Sequence, residues 1–440
     1  MQNFSKFLLK RSLLLLMACF AFALANAQTG LSSQMREFMD MRFGMFIHWG
    51  PVSLRGTEIG WSRTRQVPAS DYDNLYKEFN PVLFSADDWV KTAKDAGMKY
   101  LVITARHHDG FCLWPTKYTT YNISNTPFKK DVVGALQKAC KKYGIKFGIY
   151  YSDLDWWHKD YPMHSPDSKI PDPKSNMNTY INYVKNQLKE LIELYDPYLF
   201  WFDGQWEKPW TDSIGREVYN YVKALNPNLI VNNRLGKEMA GDINKKIDPA
   251  KMIGDYDTPE QVVGRMNMTT PWESCFTICN QWAWKPNDKM KPLSECLRIL
   301  SQTAGGNGNL LLNVGPMPDG RIEARQSARL KEVGDWLKTN GSAVYKTMGG
   351  PYPPNKSFST TRKGNKIFVH IINTDTAAIS LKNIPGVKIV KAYTMDGTPV
   401  KINTSSTGFE LQLPPALKDG IEYIIVLETN QNTEQLALIN

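Results

Sequence analysis

The sequence is poor in the patterns that organise several common classes of protein. Five cysteines lie beyond residue 27, and none of them belongs to a CxxC pair. An odd number without paired spacing predicts neither a disulfide framework nor a zinc site. There is no HxH or HExxH motif, and no GxGxxG follows the first predicted strand. Zinc peptidase and dinucleotide-binding functions therefore gain no support.

The chain also lacks a concentrated charge of either sign. Its 53 basic and 43 acidic residues give a formal net charge of +10, and the basic residues are scattered among the acidic ones. Without Lys6, Lys10 and Arg11, which lie in the first 27 residues, the charge falls from +10 to +7. A small and dispersed excess predicts no nucleic-acid partner.

Residues 1–27 have the pattern of an export signal. Three basic residues precede an apolar run over residues 13–24, and Ala25-Asn-Ala27 supplies a small-x-small cleavage site. The run is shorter than the roughly 20 residues of a transmembrane helix, so we expect cleavage after Ala27 and no membrane anchor. The bacterial periplasm is the predicted destination. Secretion, or lipoprotein processing at Cys19, are the alternatives.

Aromatic residues are abundant, at 12% of the chain with 13 tryptophans, and many lie beside charged residues. Sugars present flat C–H faces that stack on aromatic rings and hydroxyls that bind charged groups, so this composition favours carbohydrate as the ligand.

Strand-like and helix-like runs alternate from about residue 35 to 340, in seven or eight units. This alternation predicts a (β/α)8 barrel. After residue 346, short strands alternate with turns such as Asp396-Gly397, which predicts an antiparallel β-sandwich. The predicted domains are a signal peptide (1–27), a catalytic barrel (28–345) and a C-terminal β-sandwich (346–440).

Polar residues recur where the predicted barrel strands end. Asp203 follows the unbroken apolar run 198–202 and precedes a glycine, so we interpret it as a catalytic nucleophile at the carboxyl end of a strand. The carboxyl ends of the other strands supply His48, the run Arg106-His107-His108-Asp109, Tyr151 and Asn233-Arg234. Several such groups on one face of a barrel indicate an active site.

Two classes of enzyme could use this set. A metal-dependent hydrolase would need clustered ligands, but adjacent His107 and His108 on an extended segment are expected to point to opposite sides. A glycoside hydrolase needs two carboxylates. The second carboxylate would be Glu260 or Glu273.

Six short motifs in order resemble glycoside hydrolase family 29, the retaining α-L-fucosidases. The resemblance covers about residues 41–320 and implies a catalytic barrel followed by a β-sandwich, with no metal and no cofactor. Its motifs are Arg42-Phe-Gly-Met-Phe-Ile-His-Trp-Gly50, His107-His-Asp-Gly-Phe111, Trp201-Phe-Asp-Gly204, Asn233-Arg234, Trp272-Glu-Ser-Cys275 and Gly306-Asn-Gly-Asn-Leu-Leu-Leu-Asn-Val-Gly-Pro316.

The resemblance implies that Asp203 forms a glycosyl-enzyme intermediate and that the substrate is a fucosylated glycan. Trp61 is expected at the same site, although Gly60 precedes it where many relatives have Glu, with Glu58 two residues further back. One of Trp282 and Trp284 is expected at its rim. The residues implied to line the fucose subsite are His48, His107, His108, Tyr151, Trp201 and Arg234.

We favour Glu260 as the acid/base, because Pro259 and its polar surroundings predict an exposed loop that reaches the cleft. Glu273 follows Trp272 at the start of a strand, which is typical of a buried structural carboxylate. Two other functions stay open from the sequence. They are an exo-glycosidase for galacto-configured sugars, to which the glycine at position 60 points, and a catalytically silent carbohydrate-binding protein.

Overall fold

The computed structural model describes residues 31–238, 247–372, 377–413 and 421–439. The predicted export signal and Cys19 lie outside these ranges. The chain divides into a short unit that ends at Phe38 and a unit of residues 39–440. The second unit contains the strands and the site described below. Within the described ranges, no helix has the length and apolar character needed to cross a membrane.

A seven-stranded parallel sheet forms the centre of the larger unit, in the order β5-β4-β3-β2-β1-β7-β6. The strands are β1 (Phe43–Ile47), β2 (Tyr100–Arg106), β3 (Lys146–Ser152), β4 (Leu199–Asp203), β5 (Ile230–Val231), β6 (Glu273–Thr277) and β7 (Asn309–Val314). The helices are α1 (Ser33–Met41), α2 (Ala69–Tyr72), α3 (Ala86–Asp95), α4 (Val132–Tyr143), α5 (Met177–Tyr195), α6 (Asp212–Leu225), α7 (Leu293–Gly305) and α8 (Ala324–Asn340).

An irregular stretch, residues 255–261, closes the barrel between the edge strands β5 and β6. It forms isolated parallel bridges on one side through Asn232 and Tyr256, and on the other through Glu260 and Cys275. The backbone N–H of Gln261 donates to the carbonyl of Cys275 at 2.9 Å. The predicted barrel is confirmed, with an irregular closing segment in the place of an eighth strand.

Local sequence signals fix where the barrel helices begin. The side chain of Asn176 accepts hydrogen bonds from the backbone N–H groups of Asn178 and Thr179, and so caps α5. Asp131 caps α4 in the same way. The strands are buried along almost their whole length, as expected for parallel strands covered on both faces. Their carboxyl ends therefore form one shared edge.

Two antiparallel sheets follow the barrel and share a core, which confirms the predicted C-terminal β-sandwich fold. The order is β12-β15-β10-β9-β8 in one sheet and β11-β14-β13 in the other. Ile367 and Val369 of one sheet pack with Leu381 and Leu411 of the other. The strands are β8 (Met348–Gly349), β9 (Phe358–Lys363), β10 (Lys366–Ile371), β11 (Ala378–Lys382), β12 (Ile389–Thr394), β13 (Ile402–Thr404), β14 (Gly408–Gln412) and β15 (Tyr423–Thr429).

A buried polar group, which we call the interface cluster, joins the barrel to the sandwich. It consists of Ser301 on α7 and of Thr361, His370 and Glu422 from the sandwich. The Nδ1 atom of His370 lies 3.0 Å from Oε1 of Glu422, and its Nε2 atom lies 3.1 Å from Oγ1 of Thr361. The hydroxyl of Ser301 also donates to Oε1 of Glu422.

Candidate active site

Strand β4 ends at Asp203, and three side chains converge on its carboxylate. The hydroxyl of Tyr150 donates to Oδ2 at 2.9 Å, and Nη1 of Arg234 donates to Oδ1 at 2.8 Å. The Nε2 atom of His108 lies 3.5 Å from Oδ2. Asp203 is only 8% exposed, so these groups replace most of its hydration.

Arg234 connects Asp203 to Glu260. Its Nη1 atom lies 2.9 Å from Oε2 of Glu260, and its Nε atom donates to Oγ1 of Thr258 at 3.0 Å. Burial works to lower the pKa of Arg234, but the carboxylates of Asp203 and Glu260 outweigh it and raise that pKa. Arg234 therefore stays charged and holds the two carboxylates near each other.

Three histidines of the site are held neutral. Burial lowers the pKa of His48 and of His108 to about 3, and it lowers the pKa of His107 as well. The Nδ1 atom of His48 lies 2.7 Å from Oδ1 of Asn313, which fixes the imidazole ring. A neutral imidazole can donate one hydrogen bond and accept another, which suits the hydroxyls of a sugar.

The prediction that His107 and His108 point to opposite sides is wrong. Both residues lie in the turn that follows β2, where side chains do not alternate as they do in a strand. Their ring centroids are 4.1 Å apart, and both rings face Tyr150. In the part of the chain that the structure describes, no group of three or more His, Cys, Asp or Glu side chains has the arrangement of a metal site.

The structure corrects the expected position of Tyr151. Its hydroxyl donates to Oε1 of Gln187 on α5, and the guanidinium of Arg106 lies 4.1 Å from the centroid of its ring. Tyr151 thus faces the helices outside the barrel. Successive side chains of a strand point to opposite faces, so Tyr150 occupies the cavity instead.

An open cavity of about 360 Å³ lies above Asp203. Seven of the predicted residues line it, while His108 and Arg234 contact Asp203 from beside it. The cavity is lined by Phe46, His48, Trp61, His107, Tyr150, Trp201, Asp203, Trp206, Glu260 and Trp282.

Comparisons with known proteins show to which family this chain belongs. The family model described as Alpha-L-fucosidase matches residues 22–342. This chain belongs to the α-L-fucosidase family. Among curated relatives, an α-L-fucosidase of Branchiostoma floridae is 27% identical over 91% of this chain and 94% of its own length. The human plasma α-L-fucosidase is 30% identical over 70% of this chain and 69% of its own length.

Solved structures of α-L-fucosidases have the same fold. Isoenzyme 1 from Paenibacillus thiaminolyticus is 32% identical and has a TM-score of 0.81, covering 91% of this chain and 99% of its own. A family 29 α-L-fucosidase from Bacteroides thetaiotaomicron is 29% identical with a TM-score of 0.82, covering 91% and 97%. That structure holds a trapped covalent intermediate formed with 2-fluoro-fucosyl fluoride.

Within this family member, Glu260 and Glu273 occupy very different surroundings. The side chain of Glu260 is 40% exposed and lines the cavity. It lies on the segment that closes the barrel, where a free loop was expected. Glu273 is fully buried in β6, and it accepts hydrogen bonds from the hydroxyl of Tyr100 and from Nε1 of Trp201, the latter at 3.0 Å. Burial raises the pKa of Glu273 to about 7.

Glu58 is not among the residues that line the cavity. Its carboxylate accepts hydrogen bonds from the backbone N–H groups of Trp282 at 2.9 Å and of Ala283 at 3.0 Å, so it fixes the loop that carries Trp282. Gly60 has a φ of +66°, and a Cβ atom there would lie 2.9 Å from Nδ1 of His107. This fucosidase therefore has no room for a larger residue at position 60 unless His107 moves.

Three lining residues were missed from the sequence: Phe46, Tyr150 and Trp206. Phe46 lies on β1, two residues before His48, which directly follows this strand. The two side chains therefore point to the same face. Tyr150 pairs with Trp201 across β3 and β4, a register that only the structure shows. Trp206 lies three residues after Asp203 in the loop beyond β4, and strand periodicity gives no signal there.

Proposed function

We propose that this protein is a retaining α-L-fucosidase that removes terminal α-L-fucosyl groups from oligosaccharides or glycoconjugates, with Asp203 as nucleophile and Glu260 as acid/base. One observation carries the assignment of residues. Nη1 of Arg234 contacts both carboxylates, at 2.8 and 2.9 Å, at the wall of one open cavity. These contacts place Oδ1 of Asp203 and Oε2 of Glu260 no more than about 5.7 Å apart. This bound is compatible with the separation of about 5–5.5 Å between the carboxyl groups of retaining glycosidases.

In the first step, an Oδ atom of Asp203 forms a bond to the anomeric carbon, and the bond from that carbon to the leaving oxygen breaks. Glu260 gives its proton to the leaving oxygen. In the second step, Glu260 takes a proton from water, whose oxygen attacks the anomeric carbon and releases Asp203. Water reaches Glu260 because this side chain is 40% exposed.

Four other cavity residues bind the fucose ring in this proposal. The neutral rings of His48 and His107 exchange hydrogen bonds with its hydroxyls, and Trp201 and Trp282 cover its apolar C–H and methyl surface. Arg234 donates to Oδ1 of Asp203 at 2.8 Å and so holds the carboxylate in position before the first step. A protein that only binds carbohydrate needs no such pair of carboxylates.

We also propose that the protein is exported to the bacterial periplasm after cleavage at Ala27, as the sequence pattern of residues 1–27 suggests. Fractionation of the native bacterium, with mass spectrometry of the mature N-terminus, tests this proposal. A cytoplasmic, uncleaved chain would overturn it.

Azide rescue tests the catalytic assignment. Aryl α-L-fucoside hydrolysis is measured for the wild type, Asp203→Gly, Glu260→Ala and Glu273→Ala, each with and without azide. Asp203→Gly should be rescued with a fucosyl azide of inverted configuration, and Glu260→Ala with one of retained configuration. Glu273→Ala is the control and should not be rescued. Rescue of Glu273→Ala, but not of Glu260→Ala, would overturn the acid/base assignment, and a wild type inert on the fucoside would overturn the substrate class.

A further inference from the structure

Trp206 is the most exposed aromatic residue of the cavity wall. It is 43% exposed, whereas the residues around the nucleophile, His48, His107 and Trp201, are 5% exposed or less. Exposing this much of an indole to water is unfavourable, since a large aromatic ring gains most of its stabilisation from burial. Trp206 lies on the loop just beyond Asp203.

The loop that carries Trp206 is rigidly fastened. The ammonium group of Lys237 donates to the backbone carbonyl of Glu207 at 2.9 Å. The carboxylate of Glu207 accepts hydrogen bonds from Nε1 of Trp156 at 2.9 Å and from the hydroxyl of Tyr161. The exposed indole is therefore held in place by its neighbours, and a ligand that binds to it loses little entropy in ordering the loop.

Trp206 is part of an aromatic wall that extends from His108, whose ring centroid lies 5.3 Å from that of Trp206, to the solvent. Its ring is nearly parallel to that of Trp61, with centroids 5.9 Å apart and an angle of 19° between the planes. The guanidinium of Arg65 lies 5.4 Å from the ring of Trp61 and forms an ion pair with Asp167 at 2.7 Å. Arg65 is 42% exposed, so the wall ends in solvent.

We propose that Trp206 and Trp61 form the subsite for the leaving group, which we call the acceptor wall. The ligand is the pyranose residue to which fucose is attached, with its C–H face stacked on the indole of Trp206. The inference rests on the proposed function. It adds that the enzyme selects substrates whose leaving group is a sugar ring over those with a small alkyl leaving group.

The test compares substrates that share fucose and differ in the leaving group. Wild type, Trp206→Ala and Trp206→Phe are assayed on methyl α-L-fucoside and on fucosyl disaccharides with galactose or N-acetylglucosamine, using the disaccharide that the wild type cleaves best. Inhibition by free L-fucose reports on the fucose subsite alone. Trp157→Ala is the matched control, because Trp157 is 36% exposed and stacks on Tyr121 with ring centroids 4.6 Å apart, outside the cavity lining.

We expect Trp206→Ala to lower kcat/KM on the disaccharide roughly tenfold, with methyl α-L-fucoside hydrolysis and L-fucose inhibition within about twofold of wild type. Trp206→Phe should restore most of the loss, and Trp157→Ala should change neither substrate. Equal losses on both substrates, or weaker L-fucose inhibition, would place Trp206 in the fucose subsite and overturn the proposal. An unchanged disaccharide rate would also overturn it. A wild type inactive on every fucoside would contradict the proposed function instead.

Discussion

Two regions of the molecule contain a buried histidine beside a carboxylate, and only one of them faces a cavity. At the barrel edge, His108 lies 3.5 Å from Asp203, whose remaining exposure opens into the cavity. In the interface cluster, His370 lies 3.0 Å from Glu422, and Thr361 contacts its other ring nitrogen at 3.1 Å. A carboxylate beside a buried histidine is thus open to the cavity in one region and enclosed by protein in the other.

The two carboxylates differ in their access to the cavity rather than in their chemistry. We expect this difference to decide whether each of them acts in catalysis or in stability. Asp203 keeps a surface toward the cavity, so an anomeric carbon can approach it. Glu422 is 5% exposed and His370 is fully buried, and both ring nitrogens of His370 already contact protein atoms. The comparison predicts that changes at Asp203 act on catalysis and that changes at Glu422 act on stability.

The largest expected effect is a loss of kcat on changing Asp203, the proposed nucleophile. Asp203→Asn should lower kcat on an aryl α-L-fucoside roughly 10⁴-fold or more, because the neutral amide cannot form the glycosyl ester. Glu422→Gln, which makes the same chemical change in the interface cluster, should leave kcat within about twofold of wild type. Steady-state kinetics at saturating substrate measure both. A comparable loss of kcat in the two variants would break the comparison.

Changes at Glu273 should affect stability rather than catalysis, as expected for Glu422, although Glu273 lies in the barrel. Burial raises its pKa from 4.5 to about 7, so its protonated form is favoured in the folded state. This stabilisation is fully present below pH 4.5 and is lost as the pH rises through about 7. The free energy of unfolding of the wild type, relative to Glu273→Gln, should therefore decrease by about 3 kcal/mol between pH 4.5 and 8. Chemical denaturation across this range measures it, and parallel pH profiles would contradict the prediction.

The interface cluster should show its contribution in stability. Glu422→Ala removes the acceptor for Ser301 and His370 and leaves both polar groups buried, at a cost of about 2 kcal/mol. The midpoint of denaturant unfolding measures the loss. Glu434→Ala is a control, because its carboxylate accepts an exposed bond from the N–H of Gly364. If both variants unfold at the same midpoint, the cluster does not fasten the domains.

The smallest predicted effect is a difference in kcat/KM between variants of two adjacent tyrosines. Tyr150→Phe removes a donor to Asp203 and should lower kcat/KM roughly tenfold. Tyr151→Phe removes the bond to Gln187 outside the barrel, so it should leave kcat/KM within about twofold and lower the free energy of unfolding by about 1 kcal/mol. The opposite ranking of the two variants in kcat/KM would restore Tyr151 to the cavity.

Much of the fold follows from the sequence because its helices and strands have clear periodicity and caps. The caps of α5 and α4, Asn176 and Asp131, are residue types that the sequence alone marks as helix starts. Strand β6 begins at Glu273, where the sequence also predicts the start of a strand, and its register with β7 includes the polar pair Glu273 and Asn309. Hydrophobicity alone does not show this pairing.

The site was harder to predict where side-chain direction matters. A strand end identified Asp203, but it could not show which of Tyr150 and Tyr151 faces inward, because both are aromatic and both are buried. His107 and His108 were assigned to opposite sides on the assumption of a strand, and they lie in a turn. Trp206 and Glu260 depend on irregular segments, whose conformations come from tertiary contacts.

The irregular segment that closes the barrel, residues 255–261, should tolerate insertions that a regular strand would not. In a regular strand, a one-residue insertion shifts the register and turns every later side chain to the other face. Residues 255–261 are joined to their neighbours by isolated bridges, so extra chain on either side can bulge outward while the bridges stay. Glu260, the proposed proton donor, can thus be repositioned without disturbing the seven strands that hold Asp203, the proposed nucleophile. Engineering of the enzyme for a new glycosidic linkage should therefore begin with residues 255–261.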